Sequence, residues 1–500
     1  MADIVVAGSG VAGQASALFL ARAGHHVTIV EPDPAQSIGP GDDTAMDGAR
    51  PGLPQRAQGH SFHGLAHRVL SQVAPDVLTA LRAAGAEEID FSARLPEEDR
   101  RPDDAGMVSI QMRRHVLDRA LTRALTAEPD VVRRFGQRVT GLLPRRSAGH
   151  TTACAGVRLA SGERVEADLV VDASGRMSDL PRWLTGLGFP RPAEVTQPSG
   201  TLYYCRHFRH RDGRRWDPAE GFFGPTGDLG YLRFSVLPED SGGFVVTMNT
   251  AGGNRALRVL RDASAWMFVA ARIPRLAELV AADRAEPISA VHAMGGLRNT
   301  LRRFGATPDT HPAGVVPIGD ALCHTNPTQG WGASLALWQA YRLAELLAGA
   351  PGRAGHAGLR AHPAIREFTA RVEPHYAAAS GEDAERARLA ADPGRDVTDP
   401  GNPLFLRKVC YPMALHDPGL LRPVLRRIHL FDRPDALPRD RALLHRARAR
   451  FAEQPRPAAA EPPSLDALLA ALARRPAAER SEQSERSERS EPSERSGARR

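Results

Sequence analysis

Lysine is almost absent from this 500-residue chain: of 65 basic residues one, Lys408, is a lysine and the rest are arginines. Chemistry that needs an amine side chain must run through Lys408. Cysteine is scarce as well. Cys154, Cys205, Cys323 and Cys410 lie far apart, without metal-ligand or redox spacing, and a chain of this size needs no disulfide staples. Aromatic residues make up 5% and no basic stripe is interleaved with them, so the net charge of +7 reads as coding bias toward arginine, not as a nucleic-acid surface. No apolar run approaches the roughly 18 residues that span a bilayer. The first residues carry neither a basic leader nor a cleavage site. We therefore expect no transmembrane segment and a cytoplasmic location.

What is present is an α/β pattern. Ile4–Ala7 reads as a buried strand, Ala12–Ala23 as a helix and Val27–Val30 as a second strand, a β-α-β unit. Residues 32 to 60 read as an irregular excursion. Helical periodicity follows over 61–85, split by Pro75, and over 113–127. Short strands are expected at Val157–Leu159 and Leu169–Val171. From 200 to 250 longer strands and glycine turns suggest an inserted antiparallel sheet. Helices follow at 263–271 and 333–347, then an arginine-rich helical stretch broken near Asn402-Pro403 and Asp417-Pro418. Ser464 should cap a short amphipathic helix. Beyond it the Ser-Glu-Arg repeats hold too little apolar surface to fold alone. The expected division is 1–190 and 291–350 for a Rossmann-like domain, 191–290 for the antiparallel insertion, 351–455 for a helical extension and 456–500 for a disordered tail.

Three motifs carry chemistry. Gly8-Ser-Gly10-Val-Ala-Gly13 follows a strand and opens a helix, and Glu31 ends the next strand. Gly8 permits the tight turn, Gly10 lets backbone approach a pyrophosphate, and Gly13 allows close helix–strand packing. The helix N-terminus offers N–H groups to phosphates, and Glu31 suits a ribose while repelling a 2′-phosphate. In the second motif a buried strand delivers Asp172, followed by Gly175. In the third, Gly319-Asp320 ends a strand and Pro327-x-x-Gly330-Trp331-Gly332 opens a helix.

These three motifs, in this order, resemble flavoproteins of the para-hydroxybenzoate hydroxylase fold family, over about residues 1 to 350. The Asp172-x-x-Gly175 variant resembles its epoxidase and halogenase side, the fragments Leu53-Pro-Gln55 and Pro181-Arg-Trp183 resemble polyether epoxidases, and the chain as a whole resembles the polyether-epoxidase and geranylgeranyl-reductase branch. The resemblance implies FAD held by Gly8, Gly10, Gly13, Glu31, Asp172, Gly175, Gly319, Asp320, Pro327, Gly330 and Gly332. It also implies an arginine near the phosphates, Arg114 of Arg114-x-x-Leu117-Asp118, with Arg113 as rival. It implies a monooxygenase in which reduced FAD and molecular oxygen give a C4a-hydroperoxide that hydroxylates or epoxidises a small aromatic or lipophilic metabolite, in secondary metabolism. NAD(P)H would bind transiently, since no second glycine fingerprint is present, or a flavin reductase partner would supply reduced flavin. An FAD-dependent alkene reductase and a non-catalytic flavin-binding regulator are the alternatives. Halogenases of this fold use a lysine in their N-terminal part, and this chain has none before residue 408; Trp266 lacks the halogenase Trp-x-Trp-x-Ile-Pro string.

No nucleophile–base pair stands out, so catalytic side chains stay unassigned. Tyr204, Arg206 and Phe208 share one strand face, turned to either substrate or core. His324 and Trp331 flank the expected flavin and are further substrate candidates. His60, His63 and His67 have the spacing of one helix face, but a fourth ligand is missing, so we read a polar face or cofactor contact and no metal site.

Overall fold

The computed structural model describes residues 1–34, 53–147, 150–213, 222–348, 361–453 and 463–475. The expected Ser-Glu-Arg tail and most of the 32–60 excursion lie outside the described residues. At the centre is a five-stranded parallel sheet. Its order is Val315–Pro317, Leu169–Asp172, Asp3–Ala7, His26–Glu31, Val131–Phe135. Asp3–Ala7 is therefore central, and its side chains Ile4, Val5 and Val6 are buried on both faces, as continuous apolar runs in parallel strands require. Helix Val11–Arg22 covers one face and buries every position from Val11 to Ala21 except Ala12. It packs against helices Arg114–Ala127 and Trp331–Ala348.

Because all five strands run the same way, the ends of Asp3–Ala7, His26–Glu31, Leu169–Asp172 and Val315–Pro317 arrive at one edge. The register fixes this: Ala7 pairs with Val30 and Asp172, and Pro317 pairs with Asp172. The fingerprint, Glu31, Asp172 and Gly319-Asp320 thus converge where ligands collect in open α/β sheets.

The second sheet is antiparallel, with Thr226–Asp228, Leu232–Pro238, Gly243–Ala251, Thr201–His210 and Ala285–Pro287 in order. Alternation gives it two faces. Tyr204, Phe208, Phe234, Val236, Phe244, Val246 and Met248 form a core with Trp266 and Leu276 of the covering helices Ala263–Ala270 and Pro274–Leu279. Helix Leu465–Ala473 docks on the same core through Leu468. As its sequence suggested, Ser464 caps it, accepting from Ala467 N at 3.2 Å.

Some boundaries differ from the sequence reading. The 61–85 stretch becomes two helices, Gly64–Val73 and Pro75–Ala83, with Pro75 at the first turn of the second. Residues 139–166 form a three-stranded sheet of Val139–Ser147, His150–Leu159 and Arg164–Glu166 that the sequence reading missed but for Val157–Leu159. Irregular register at Gly141 and Pro144 breaks the alternation that would have marked it. The C-terminal region is led by the 31-residue helix Ala361–Ala391. Among the described residues no helix is long and apolar enough to cross a membrane.

Candidate functional site at the strand ends of the parallel sheet

The fingerprint glycines divide their tasks in space. Gly8 has φ +100, and a Cβ there would lie 2.5 Å from Ala173 O. Gly13 is tighter still: its Cβ would lie 1.9 Å from Gly8 O, so this glycine sets the approach of helix to strand. Gly10 differs. A Cβ there meets only Leu53 Cδ2, at 3.7 Å, so the space beside it is open. No side chain caps the helix at Gly10, and no acid sits in its first turn. Its end N–H groups and positive dipole are left for an anion. Glu31 is buried and accepts from Ser9 N at 2.6 Å and Asp33 N at 3.0 Å, which ties the second strand to the fingerprint turn.

Asp172 is fully buried and is spent on its own loop. It accepts from Ser174 N at 3.1 Å and from the Ser174 and Ser178 hydroxyls at 2.5 Å each. Burial pushes its carboxyl up, against the pull of those hydroxyls. Its place is to shape the turn around Gly175, whose φ is +78. Gly319 (φ +57) abuts the fingerprint helix: its Cβ would lie 3.0 Å from Ala12 Cβ. Beside it, half-buried Asp320 has no hydrogen-bond partner for its carboxylate among the described residues. An unclaimed acid at this edge suits a polyol hydroxyl.

Arg113 and Arg114, rivals in sequence, separate clearly. Arg113 grips Asp240 of the antiparallel domain, with contacts of 2.5 to 3.1 Å. Burial alone would raise Asp240; Arg113 overrides it and holds that carboxyl low. Arg114 is buried and held by Asp118 through Nε at 3.0 Å; His60, pushed down by burial first, is pushed further by the charge of Arg114.

The three histidines do not share a helix face. The helix begins at Gly64, and His63 is its extended N-cap, so His60 and His63 precede it. His60 Nδ1 donates to Gln58 O at 2.7 Å, while His67 meets Glu88 at 3.2 Å. His63 Nε2 donates to Gln329 O at 3.0 Å, and a Cβ on Gly330 would lie 3.0 Å from that nitrogen. Burial pushes His63 down to about 4. A neutral His63 therefore props the Pro327–Gly332 loop.

That loop is also held from the C-terminal region. Asn326 donates to both oxygens of Asp383 at 2.8 and 2.9 Å, and Asn299 donates to Asp383 at 2.8 Å. Gln329 donates to Glu382 at 2.5 Å. Asp383→Ala would leave two buried amides unpaired. We expect it to cost about 2–4 kcal/mol, read as a lower Tm in thermal melts of the full chain.

The substrate candidates fall on both sides of the antiparallel sheet. Tyr204 sits in the helix-covered core, and Arg206 is bound by the carbonyls of Ser289 and Ala263, both at 3.2 Å. They face away from the glycine loops. Trp331 packs edge-on against His375 and under Arg427, inside the protein. His324 is tied by Nδ1 to Arg298 O at 2.6 Å. The residues turned toward segments 53–63 and 326–328 are one step along the strand: Tyr203, Cys205 and His207, all buried. Tyr203 donates to Asn326 Oδ1 and meets Thr328 Oγ1 at 3.0 Å. Cys205 Sγ donates to Gln58 Oε1 at 2.8 Å. His207 faces Glu239 at 2.8 Å and Ala57 O at 3.1 Å. Both its ring nitrogens thus meet acceptors, the arrangement of an imidazolium. Burial alone would lower its pKa, and Glu239 overrides this and raises it. The signal for this face was the alternation itself, once one knows that Phe208 is core.

With the geometry in place, comparison with known proteins gives three findings. Residues 3–180 match the family model for FAD dependent oxidoreductases. The protein Rv3254 of Mycobacterium tuberculosis is 33% identical over 268 residues, 52% of this chain, and the chain spans about half (51%) of that curated relative's length. Among solved structures, pqsL of Pseudomonas aeruginosa, a probable FAD-dependent monooxygenase, superposes over 78% of this chain and 99% of its own, with TM-score 0.52 and 18% identity. The flavin-dependent brominase Bmp2 covers 90% of this chain and 99% of its own, with TM-score 0.58 and 17% identity. The myxobacterial chondrochloren halogenase CndH covers 90% and 97%, with TM-score 0.53 and 18% identity. The chain thus carries an FAD dependent oxidoreductase match over residues 3–180, on a mixed α/β fold shared with flavin-dependent monooxygenases and halogenases.

Proposed function

We propose that this protein is an FAD-dependent monooxygenase acting on a small aromatic or lipophilic metabolite. One observation carries the reading: the open Gly10 backbone, the uncapped helix end, the unclaimed Asp320 and the propped 327–332 loop all meet along one sheet edge. These residues fit FAD. The helix N-terminus and Arg114 would hold the pyrophosphate, Glu31 the adenosine ribose and Asp320 the ribityl chain, with the 327–332 loop under the ring. When bound, FAD supplies the redox chemistry and oxygen activation. The chain's part is to orient the ring, exclude water and hold substrate against the inner face of the antiparallel sheet.

Halogenation fits poorly despite the shared fold. Lys408 is the one lysine, and its ammonium is bound by Asp228 at 2.6 Å. Trp266 is buried, donating to Tyr204 O. Reduced flavin would come from transient NAD(P)H or from a reductase. The test is oxygen dependence. Product should form only when the reduced, FAD-loaded protein meets oxygen. A saturated product formed anaerobically with a chemical reductant would replace this reading with an alkene reductase.

A further inference from the structure

The face of the antiparallel sheet turned from its helix-covered core packs against segment 53–63. Gly59 presses on Val245 and Leu237; its Cβ would lie 2.8 and 3.6 Å from their side chains. His207 and Cys205 anchor the neighbouring segment. One row further along, Tyr203 pairs with Asn249 and Asn249 with Arg233. Side chains on this row share the face turned from the core, since Leu232, Phe234 and Val236 take the other.

Arg233 is unlike its neighbours. Among the described residues its guanidinium makes no hydrogen bond and no ion pair. The surrounding cations are all matched. Arg386 pairs with Glu382 at 2.7 Å and Asp383 at 3.1 Å, Arg407 with Glu382 at 3.2 Å, and Lys408 with Asp228 at 2.6 Å. Four cations face three acids; Asp228, opposite Arg233 across the strand pair, is hydrogen-bonded by Lys408 and lends Arg233 charge without a hydrogen bond. The residue is half-buried, and burial and the charge of Arg386 push it down to about 10. Asn249 Oδ1, in the same row, is also buried without a partner. A half-buried charge without a hydrogen-bonding partner is a ready site for an anion.

We propose that Arg233 is a specificity-determining residue that binds a carboxylate of the substrate, beside Tyr203 and the 326–328 turn. This rests on the flavin reading above and narrows it: the metabolite is an anion. Arginine's fork matches a carboxylate in a bidentate fashion, and Asn249 Oδ1 can accept from a hydroxyl carried on the same molecule.

The test uses FAD-loaded full-length protein and matched probes, benzoate against benzamide and hexanoate against hexanamide. Binding is read as perturbation of the flavin absorbance. Carboxylates should bind the wild type about 10- to 100-fold tighter than their amides, the worth of a charged hydrogen bond. Arg233→Met should abolish that preference and keep its FAD, and Arg233→Lys should restore part of it. Equal binding of acid and amide to the wild type overturns the inference, as does a preference that survives in Arg233→Met. The flavin reduction potential should be unchanged in Arg233→Met. A shifted potential would mean that Arg233 serves the ring and not the substrate, again overturning the inference. Protein that takes up no FAD would fail earlier, at the flavin reading itself.

Discussion

Gly10→Val should yield a folded protein that purifies without FAD. The backbone at Gly10 has φ −70 and ψ −174, extended geometry open to any residue, and a Cβ meets only the tip of Leu53. Valine there leaves the core untouched. Its methyls instead fill the space where a pyrophosphate would approach the helix end. Affinity should fall at least about 100-fold, the scale of losing two charge-assisted hydrogen bonds. Asp320→Ala should also weaken FAD while keeping the fold. The control is Gly13→Ala. Its Cβ would sit 1.9 Å from Gly8 O, a clash with backbone that cannot swing aside. That variant should lose stability by about 1–3 kcal/mol or more before cofactor is added. Thermal melts and FAD content measured together separate the two. A Gly10→Val protein that keeps stoichiometric FAD would remove the fingerprint from the site.

The second large effect is acid sensitivity. His63, His115 and His311 are buried and pushed down to about 4, and His375 to about 3, by burial above all. His429 is pushed down as well. These groups fold neutral. Unfolded, each titrates near 6.5. Between 6.5 and the folded values the unfolded chain binds more protons, so stability falls as pH falls. At pH 5 each of the first four contributes about 2 kcal/mol of loss. Their sum is a large share of the typical 5–15 kcal/mol for a domain. His207 runs the other way. Its folded pKa is raised, so its pairing with Glu239 contributes fully below 6.5 and is lost as pH rises through the folded value. One such group does not offset four. We expect Tm to drop steeply from pH 7 to pH 5, and His375→Gln to flatten that slope. A Tm flat over this range would contradict the assignment of neutral buried histidines.

The parallel-sheet half of the molecule was largely legible in the sequence. Glycine spacing after an apolar strand, and acids at strand ends, are local signals that survive without tertiary information. Strand Asp3–Ala7, helix Val11–Arg22 and strand His26–Glu31 lie within a residue or so of their expected bounds. The antiparallel sheet was not legible in the same way. In Thr201–His210 both faces alternate polar with aromatic, so the pattern marks two faces and names neither as inner. Segments 53–63 and 326–328 decide it, more than 100 residues away on either side, by taking Tyr203, Cys205 and His207. His63 and Gly330 likewise meet across 267 positions. Arg233 carried a usable sign, standing opposite the apolar run Leu232, Phe234, Val236. Its lack of a partner is visible only in three dimensions. His60 and His63 misled because helical spacing says nothing of where the helix starts.

The most direct measurement is FAD titrated into the purified full-length protein, followed by flavin absorbance and calorimetry. The account predicts saturation at about one FAD per chain, with loss of binding in Gly10→Val and no comparable uptake of NADPH. A chain that folds, melts cooperatively and takes up no FAD from excess would contradict it.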